Sequence, residues 1–292
     1  MGGKQPADAL LFTLYALLLT HMPELPEVET TRRGIEPHVV GHTVARLVVR
    51  NPHLRWRITP KLVREFSGQA IQSVTRRGKY LLLGTASGTA ILHLGMSGSL
   101  RLIPCAQAAD AHDHVDIVLD NGDCLRLRDP RRFGALLWTR ADPQKHKLLR
   151  DLGPEPLSPD FSGDYLFEKS RRRKRAIRDF LLDSRIIAGI GNIYANEALF
   201  AAGLRPTRAA GRINRAQYAR LIAAIRKTLN RAIRAGGTTL RDFRRSDGNP
   251  GYFQLSLNVY GRAGEPCRVC RTPIRTRRLG QRSAFFCPQC QM

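Results

Sequence analysis

Met22-Pro23-Glu24-Leu25-Pro26-Glu27-Val28-Glu29 is the stretch from which the rest of the chain can be placed. Pro26 between carboxylates reads as the opening of a helix. Proline tolerates the first helical positions, and acidic side chains complement the positive end of the helix dipole. The pattern predicts a helix over residues 27–40 that stops near Gly34–Pro37. Met22-Pro23 also has the form of a start site. If Met22 were removed, Pro23 would present a secondary α-amine beside the Glu24 carboxyl. An α-amine has a reference pKa of about 8, so a sizeable neutral fraction exists at physiological pH. A neutral amine attacks an electrophilic carbon and forms an imine. A proline nitrogen inside the chain is an amide and has no such chemistry, so function depends on where the mature chain begins.

Residues 1–21 precede this site and carry the apolar run Ala9–Leu19 behind a single Lys4. The run has the length of a signal-peptide core and is too short to span a bilayer, yet no Ala-x-Ala-like cleavage site follows it. We expect an extension that is either a mis-assigned start or a targeting segment. No other segment is long enough for a transmembrane helix.

Downstream of the first helix the pattern turns to short β-rich runs: Thr43–Val49, Ala70–Val74, Tyr80–Leu83, Thr89–Leu94, Val115–Leu119, Leu125–Leu127 and Ala135–Trp138. Turn pairs separate them, and Asn121-Gly122 is the strongest hairpin signal. Regular short strands of this kind predict an antiparallel sandwich or barrel. The proline-dense segment 151–160 marks a domain boundary. Helical periodicity follows, with a basic helix over 161–183, a second over 194–202 and a long one over 214–235. Gly189-Ile190-Gly191-Asn192-Ile193-Tyr194 is a turn that delivers a helix N-terminus.

Forty-eight Lys and Arg against twenty-four Asp and Glu give a formal charge of +24, which suits a polyanion-binding surface. A hydrophobic content of 42% excludes a merely disordered basic tail. Basic excess alone also fits an RNA-binding protein. Cys267-x2-Cys270-x16-Cys287-x2-Cys290 has the spacing of a closed four-thiolate zinc site. Four protein ligands leave no position for a reacting water, so one structural Zn2+ is expected; a pair of disulfides is the alternative. Cys105 and Cys124 are isolated and read as a half-buried small hydrophobe or a loop thiol. Taken singly, Met96 and Phe133 read as core, Lys79 as a solvated charge and Asn192 as a helix cap. Arg171–Arg175 reads as a solvated helix start, and His93 and His114 as structural members of strands.

The set Pro23–Thr30, His93-Leu94-Gly95-Met96-Ser97-Gly98, Asp129-Pro130-Arg131-Arg132-Phe133-Gly134, Gly191-Asn192-Ile193-Tyr194 and the four-cysteine finger occurs in one order. In this order the motifs resemble the bacterial formamidopyrimidine-DNA glycosylase family, repair enzymes that remove 8-oxoguanine and ring-opened purines. The likeness runs from Met22 to the C-terminus. It implies a mixed α+β chain: a β-sandwich with an N-terminal helix, a helix–two-turn–helix domain and a C-terminal zinc finger. The expected divisions are 1–21 for the extension, 22–153, 154–260 and 261–292. The partner implied is damaged double-stranded DNA, bound by a monomer in the bacterial cytoplasm, at the nucleoid, with no membrane contact.

Carried over by position, the resemblance makes Pro23 the amine that attacks C1′ and Glu24 the proton shuttle. Lys79 takes the hairpin lysine's place in elimination and phosphate contact, and Arg282 that of the finger arginine tied to δ-elimination. Met96, Arg131 and Phe133 match the residues that fill the gap left by an extruded base, with Arg131 also reading the opposite cytosine. His112, Lys174 and Asn192 match phosphate contacts. The family places a lesion-recognition loop just after Gly236-Gly237-Thr238-Thr239, and Asn249 stands where a lysine is expected, which leaves substrate ranking open. Leu25 favours the purine branch over endonuclease VIII-like enzymes of oxidised pyrimidines. Two other readings remain: a non-catalytic damaged-DNA binder if residues 1–21 are retained, and a basic zinc-finger RNA-binding protein.

Overall fold

Helix α1 (Leu25–Val39) starts two residues before the expected range and runs through Gly34 and Pro37 instead of stopping there. The Glu27 carboxylate accepts the Glu24 N–H at 2.9 Å, which closes the first turn early. Proline inside a helix costs about 3 kcal/mol, whereas burying two aliphatic side chains returns roughly 3–6 kcal/mol. Ile35 and Val39, fully buried in the sandwich core, therefore outweigh Pro37. The computed structural model describes residues 22–236 and 257–292. Residues 1–21, with the apolar run, and 237–256, with Thr238, Thr239 and Asn249, lie outside the described residues.

The strands that follow are β1 (Val44–Val49), β2 (Ser73–Arg77), β3 (Tyr80–Thr85), β4 (Gly88–His93), β5 (Ser99–Pro104), β6 (Asp113–Leu119), β7 (Asp123–Arg128) and β8 (Ala135–Thr139). They form two antiparallel four-stranded sheets, ordered β1-β6-β7-β5 and β2-β3-β4-β8. The inner faces meet in one core, among them Leu47, Leu81, Leu83, Leu92, Val115 and Leu125, and α1 packs onto it through Val28, Ile35 and Val39. Asn121-Gly122 makes the expected β6–β7 turn, with Gly122 at φ +86°.

Three further elements of this half depart from the sequence reading. The strand expected over Ala70–Val74 is shifted to Ser73–Arg77, because Arg76 and Arg77 pair with Leu81 and Tyr80 and continue the ladder to the turn. β5, which follows Gly95-Met96-Ser97-Gly98, was not among the expected strands. Short helix α2 (Pro60–Phe66) was also not anticipated, although Thr59 accepts the Leu62 N–H at 3.3 Å and Pro60 takes the first helical position.

The basic helix expected over 161–183 is two helices, α3 (Gly163–Ser170) and α4 (Ile177–Leu181). The break falls in the arginine run: Arg172 has φ +60°, and Arg171 turns back to donate to the carbonyls of Phe167 at 3.0 Å and Ile213 at 2.8 Å. Periodicity of cations could not reveal a turn that tertiary carbonyls stabilise. Helices α5 (Asn192–Ala201) and α6 (Arg215–Gly236) follow, and the core of this half is built from Phe161, Ile177, Tyr194, Leu199, Leu221 and Leu229 among others. Hairpin β9 (Arg275–Leu279) and β10 (Arg282–Phe286) closes the chain. Among the described residues no helix is long and apolar enough to cross a membrane.

Candidate active site

The start of α1 and the start of α5 meet at Glu24. Its side chain is 3% exposed, and its carboxylate accepts backbone N–H groups from Gly191 at 2.8 Å, Ile193 at 3.0 Å and Tyr194 at 3.3 Å. These are the free N–H groups of the first turn of α5, where the helix dipole also favours an anion. Glycine is required at the contact: a Cβ on Gly191 would lie 2.2 Å from the Glu24 carboxyl carbon. Gly189, at φ +82°, lets its carbonyl accept the Leu25 N–H at 3.0 Å. Burial pushes the Glu24 carboxyl up from its ordinary value, while Lys79 and the three N–H groups pull against it. The site thus holds a carboxyl whose charge is balanced between opposing forces, as a group that gives and takes protons requires.

Beneath Glu24 lies a second acid. Glu27 accepts the Glu24 N–H on one oxygen and the Tyr194 hydroxyl, at 2.5 Å, on the other. Burial, and then the neighbouring Glu24, raise the Glu27 carboxyl to about 7.

Lys79 is delivered by the tight β2–β3 turn, where Gly78 adopts φ +57°. Glu155, from the proline-rich boundary segment, accepts from Arg76 at 2.7 Å, Arg77 at 3.0 Å and the Gly78 N–H at 2.7 Å. The turn is therefore held from the far side of the domain junction. Burial and then Arg282 hold the Lys79 ammonium below the usual lysine range, with Glu24 opposing. His93, on β4, is lowered to about 4 by burial and by Lys79 and Arg55. Its Nδ1 accepts the Gly95 N–H at 2.9 Å, so it supports the Met96 loop as a neutral ring.

Met96 and the Arg131–Phe133 segment are carried on two loops pressed back to back. A Cβ on Gly95 would lie 2.5 Å from the Gly134 nitrogen. Asp129, fully buried, accepts from the Gly134 N–H at 2.6 Å and from Ser97 Oγ at 3.5 Å, tying both loops together. Phe133 is 44% exposed, with the Arg131 guanidinium 5.1 Å over its ring, so neither residue belongs to the core. His112 is exposed, and its carbonyl accepts the Asp129 N–H at 3.0 Å, which places it beside these loops. Lys174 is exposed in the α3–α4 connection.

Asn192 is the first residue of α5, with Gly191 as the cap, so the cap reading of Asn192 does not hold. Its amide instead donates to the Ser283 carbonyl at 3.0 Å and accepts from Arg178 at 3.2 Å. Arg178, 1% exposed, also donates to the carbonyls of Leu279 at 2.9 Å and Arg282 at 3.2 Å, fixing the β9–β10 turn against α4. Glu197 is fully buried and accepts the N–H groups of Asn258, Val259 and Tyr260 at 2.9–3.1 Å, anchoring the strap that enters the finger.

Glu24, Lys79, Met96, Asn192 and Arg282 line one cavity of about 330 Å3, together with Met22, Tyr260 and Phe285. Pro23 is half-buried; its neighbours Met22 and Glu24 line the cavity, and Pro23 itself is not among the lining residues. Arg131, Phe133, His112 and Lys174 are not among them either. Tyr260, Tyr194, Arg178 and the two anchoring acids were missed from sequence. Two of them left a signal: Tyr194 closes the Gly191-Asn192-Ile193-Tyr194 motif, and Glu27, three residues after Glu24 at a helix start, was taken as helix-opening charge.

The four finger cysteines form a cluster whose sulfurs lie within 4.8 Å of one another. Sγ–Sγ distances of 3.4 Å for Cys270–Cys287 and Cys270–Cys290, and 3.9 Å for Cys267–Cys290, exclude disulfides. A tetrahedron with Zn–S bonds of about 2.3 Å has edges of about 3.8 Å, so the donor set fits one zinc ion. Cys124 is buried in β7, and Cys105 donates to the Asp123 carbonyl at 3.4 Å.

Comparisons with known proteins agree along the chain. Residues 22–136 match the formamidopyrimidine-DNA glycosylase N-terminal domain, 152–244 the formamidopyrimidine-DNA glycosylase H2TH domain, and 264–291 a zinc finger found in FPG and IleRS. The formamidopyrimidine-DNA glycosylases of Nitrosococcus oceani and Stutzerimonas stutzeri are 56% and 57% identical over 270 residues, which is 92% of this chain and 100% of theirs. The crystal structure of MutM (Fpg) from Thermus thermophilus superposes with a TM-score of 0.79 at 41% identity, covering 92% of this chain and 98% of that one. Lactococcus lactis Fpg, non-covalently bound to DNA containing an AP site, gives 0.81 at 31% identity, covering 92% and 99%.

Proposed function

The chain belongs to the formamidopyrimidine-DNA glycosylase family, and from that membership we propose a bifunctional glycosylase and AP lyase that excises oxidised purines from duplex DNA. The observation that carries this reading is the Glu24 carboxylate, adjacent to Pro23 and held in the cavity with Lys79 and Arg282. In a chain beginning at Pro23, the secondary amine attacks C1′ of the damaged nucleotide. The glycosidic bond breaks, the base departs with its electron pair, and cleavage of the C1′–O4′ bond then leaves a ring-opened covalent iminium. Glu24 supplies and recovers the protons of sugar-ring opening. The iminium acidifies C2′, whose proton loss expels the 3′ phosphate; a second elimination expels the 5′ phosphate. Lys79 and Arg282 are the cations at those phosphates.

Reaching C1′ requires extruding the nucleotide at a cost of a few kcal/mol. Met96, Arg131 and Phe133 fill the vacated stack, with Arg131 reading the opposite cytosine. The exposure of Phe133 and the rigid backing of Asp129 suit that use. His112, Lys174 and Asn192 hold phosphates. The structural zinc keeps the hairpin folded, so that Arg282 faces the cavity. We assign residues 22–153 to the sandwich, 154–260 to the helical domain and 261–292 to the finger, in a monomer working in the cytoplasm at the nucleoid.

Met22 lines the same cavity, and its attachment makes the Pro23 nitrogen an amide. A chain retaining residues 1–22 is therefore a damaged-DNA binder without imine chemistry. Substrate class is tested by comparing duplexes carrying 8-oxoguanine opposite cytosine with duplexes carrying thymine glycol. We expect a faster single-turnover rate on 8-oxoguanine; a preference for thymine glycol would move the enzyme to the pyrimidine branch.

A further inference from the structure

Helix α6 carries six cationic side chains and no Asp or Glu across Arg215–Gly236. Two are engaged: Arg215 pairs with Asp164 and Glu168, and Arg226 donates to the carbonyls of Ser158 at 2.8 Å and Phe161 at 2.9 Å. The other four, Arg220, Lys227, Arg231 and Arg234, are exposed and have no acidic partner among the described residues. At about 100° per residue they fall within roughly 60° of arc, a straight stripe about 21 Å long. It lies opposite the buried face of Leu221, Ile225, Leu229 and Ile233. None of the four borders the Glu24 cavity. Lys227 with Arg231, and Arg231 with Arg234, are like charges at helix-neighbour spacing, an arrangement that lowers helix stability and that a polyanion relieves.

We infer that this face of α6 is a second duplex-binding surface, which grips undamaged DNA while the cavity holds a lesion. One strand of a duplex presents a phosphate about every 3.4 Å, so the stripe faces about six of them. The residues between the cations, Ala223 and Asn230, are small, and the face has no aromatic side chain. It therefore lacks the aromatic anchors common in protein interfaces and the stacking platforms that single strands need. Two separate grips on duplex DNA would let the enzyme pass between neighbouring segments while it searches. The inference rests on DNA being the substrate, and its test separates the two claims.

The protein is first saturated with a short duplex of about 12 base pairs containing an abasic-site analogue; failure of this step would count against the cavity reading itself. The filled protein is then titrated with a longer undamaged duplex. We expect binding that weakens roughly 150-fold from 50 to 200 mM salt, the dependence of about four phosphate contacts. A variant with Arg220, Lys227, Arg231 and Arg234 each changed to Gln should lose it. A control that removes the same charge at exposed Arg46, Lys145, Lys147 and Arg150 should keep it. The inference is overturned if the filled protein ignores the second duplex, if the two variants bind alike, or if single-stranded RNA or an acidic peptide displaces the duplex at lower concentration.

Discussion

Glu24→Gln is expected to keep lesion-duplex binding and to lose base excision by about 10²–10⁴-fold, the range of a positioned general acid–base group. The argument is geometric. Gln has the shape of Glu, so the side chain stays in place, yet it cannot carry a proton back and forth. It also disturbs the cradle. All three partners of Glu24 are N–H donors, two on one oxygen and one on the other. An amide supplies one oxygen and one NH2, so an N–H group faces another donor. Leaving that pair unsatisfied costs about 1–3 kcal/mol, a detectable loss of stability beside the much larger loss of rate. Single-turnover kinetics and thermal unfolding on the same sample separate the two effects. Undiminished excision would remove Glu24 from the mechanism.

Removing the zinc is the second large perturbation. Around the cysteines the finger core consists of little more than Val259 and Ile274, with Phe200 and Phe285 packed against it. A module so small cannot hold its hairpin by burial alone, and zinc binding contributes on the order of 10 kcal/mol to folding of such units. Cys287→Ser, or treatment with a strong chelator, should release the β9–β10 hairpin. Ser283, whose carbonyl accepts from Asn192, and Arg282 would then leave the cavity. We expect loss of measurable lesion binding and excision, with the sandwich and helical cores still folded by circular dichroism. Metal content by elemental analysis should fall in step with activity. Full activity in zinc-free protein would contradict the structural role.

How much of this was legible in the sequence follows from the range of the forces involved. Asn121-Gly122, the cysteine spacing and the Gly189–Tyr194 turn are local chemistry, and the structure places all three as expected. The antiparallel sheets were visible through short, regularly spaced β-rich runs and the turn pairs between them, which left sandwich or barrel open. The break between α3 and α4 was not, because Arg171 finds its carbonyl partner in Ile213, forty-two residues away. Pro37 misled for the opposite reason: a local penalty was overruled by distant burial. In the site, Glu24 and Lys79 came from motif position, but what steadies them is long-range. Glu155 holds the Lys79 turn, Arg178 the finger turn and Glu197 the strap beneath Tyr260, each through contacts that no local spacing encodes.

The central claim is that the chain acts through a free amine on Pro23. Protein purified from its native source is incubated with a duplex containing 8-oxoguanine in the presence of borohydride, and the adduct is digested and mapped by mass spectrometry. The account predicts a stable protein–DNA adduct on a peptide whose first residue is Pro23. An adduct on Lys79 or another lysine, or efficient trapping by protein that still carries Met22, would contradict it.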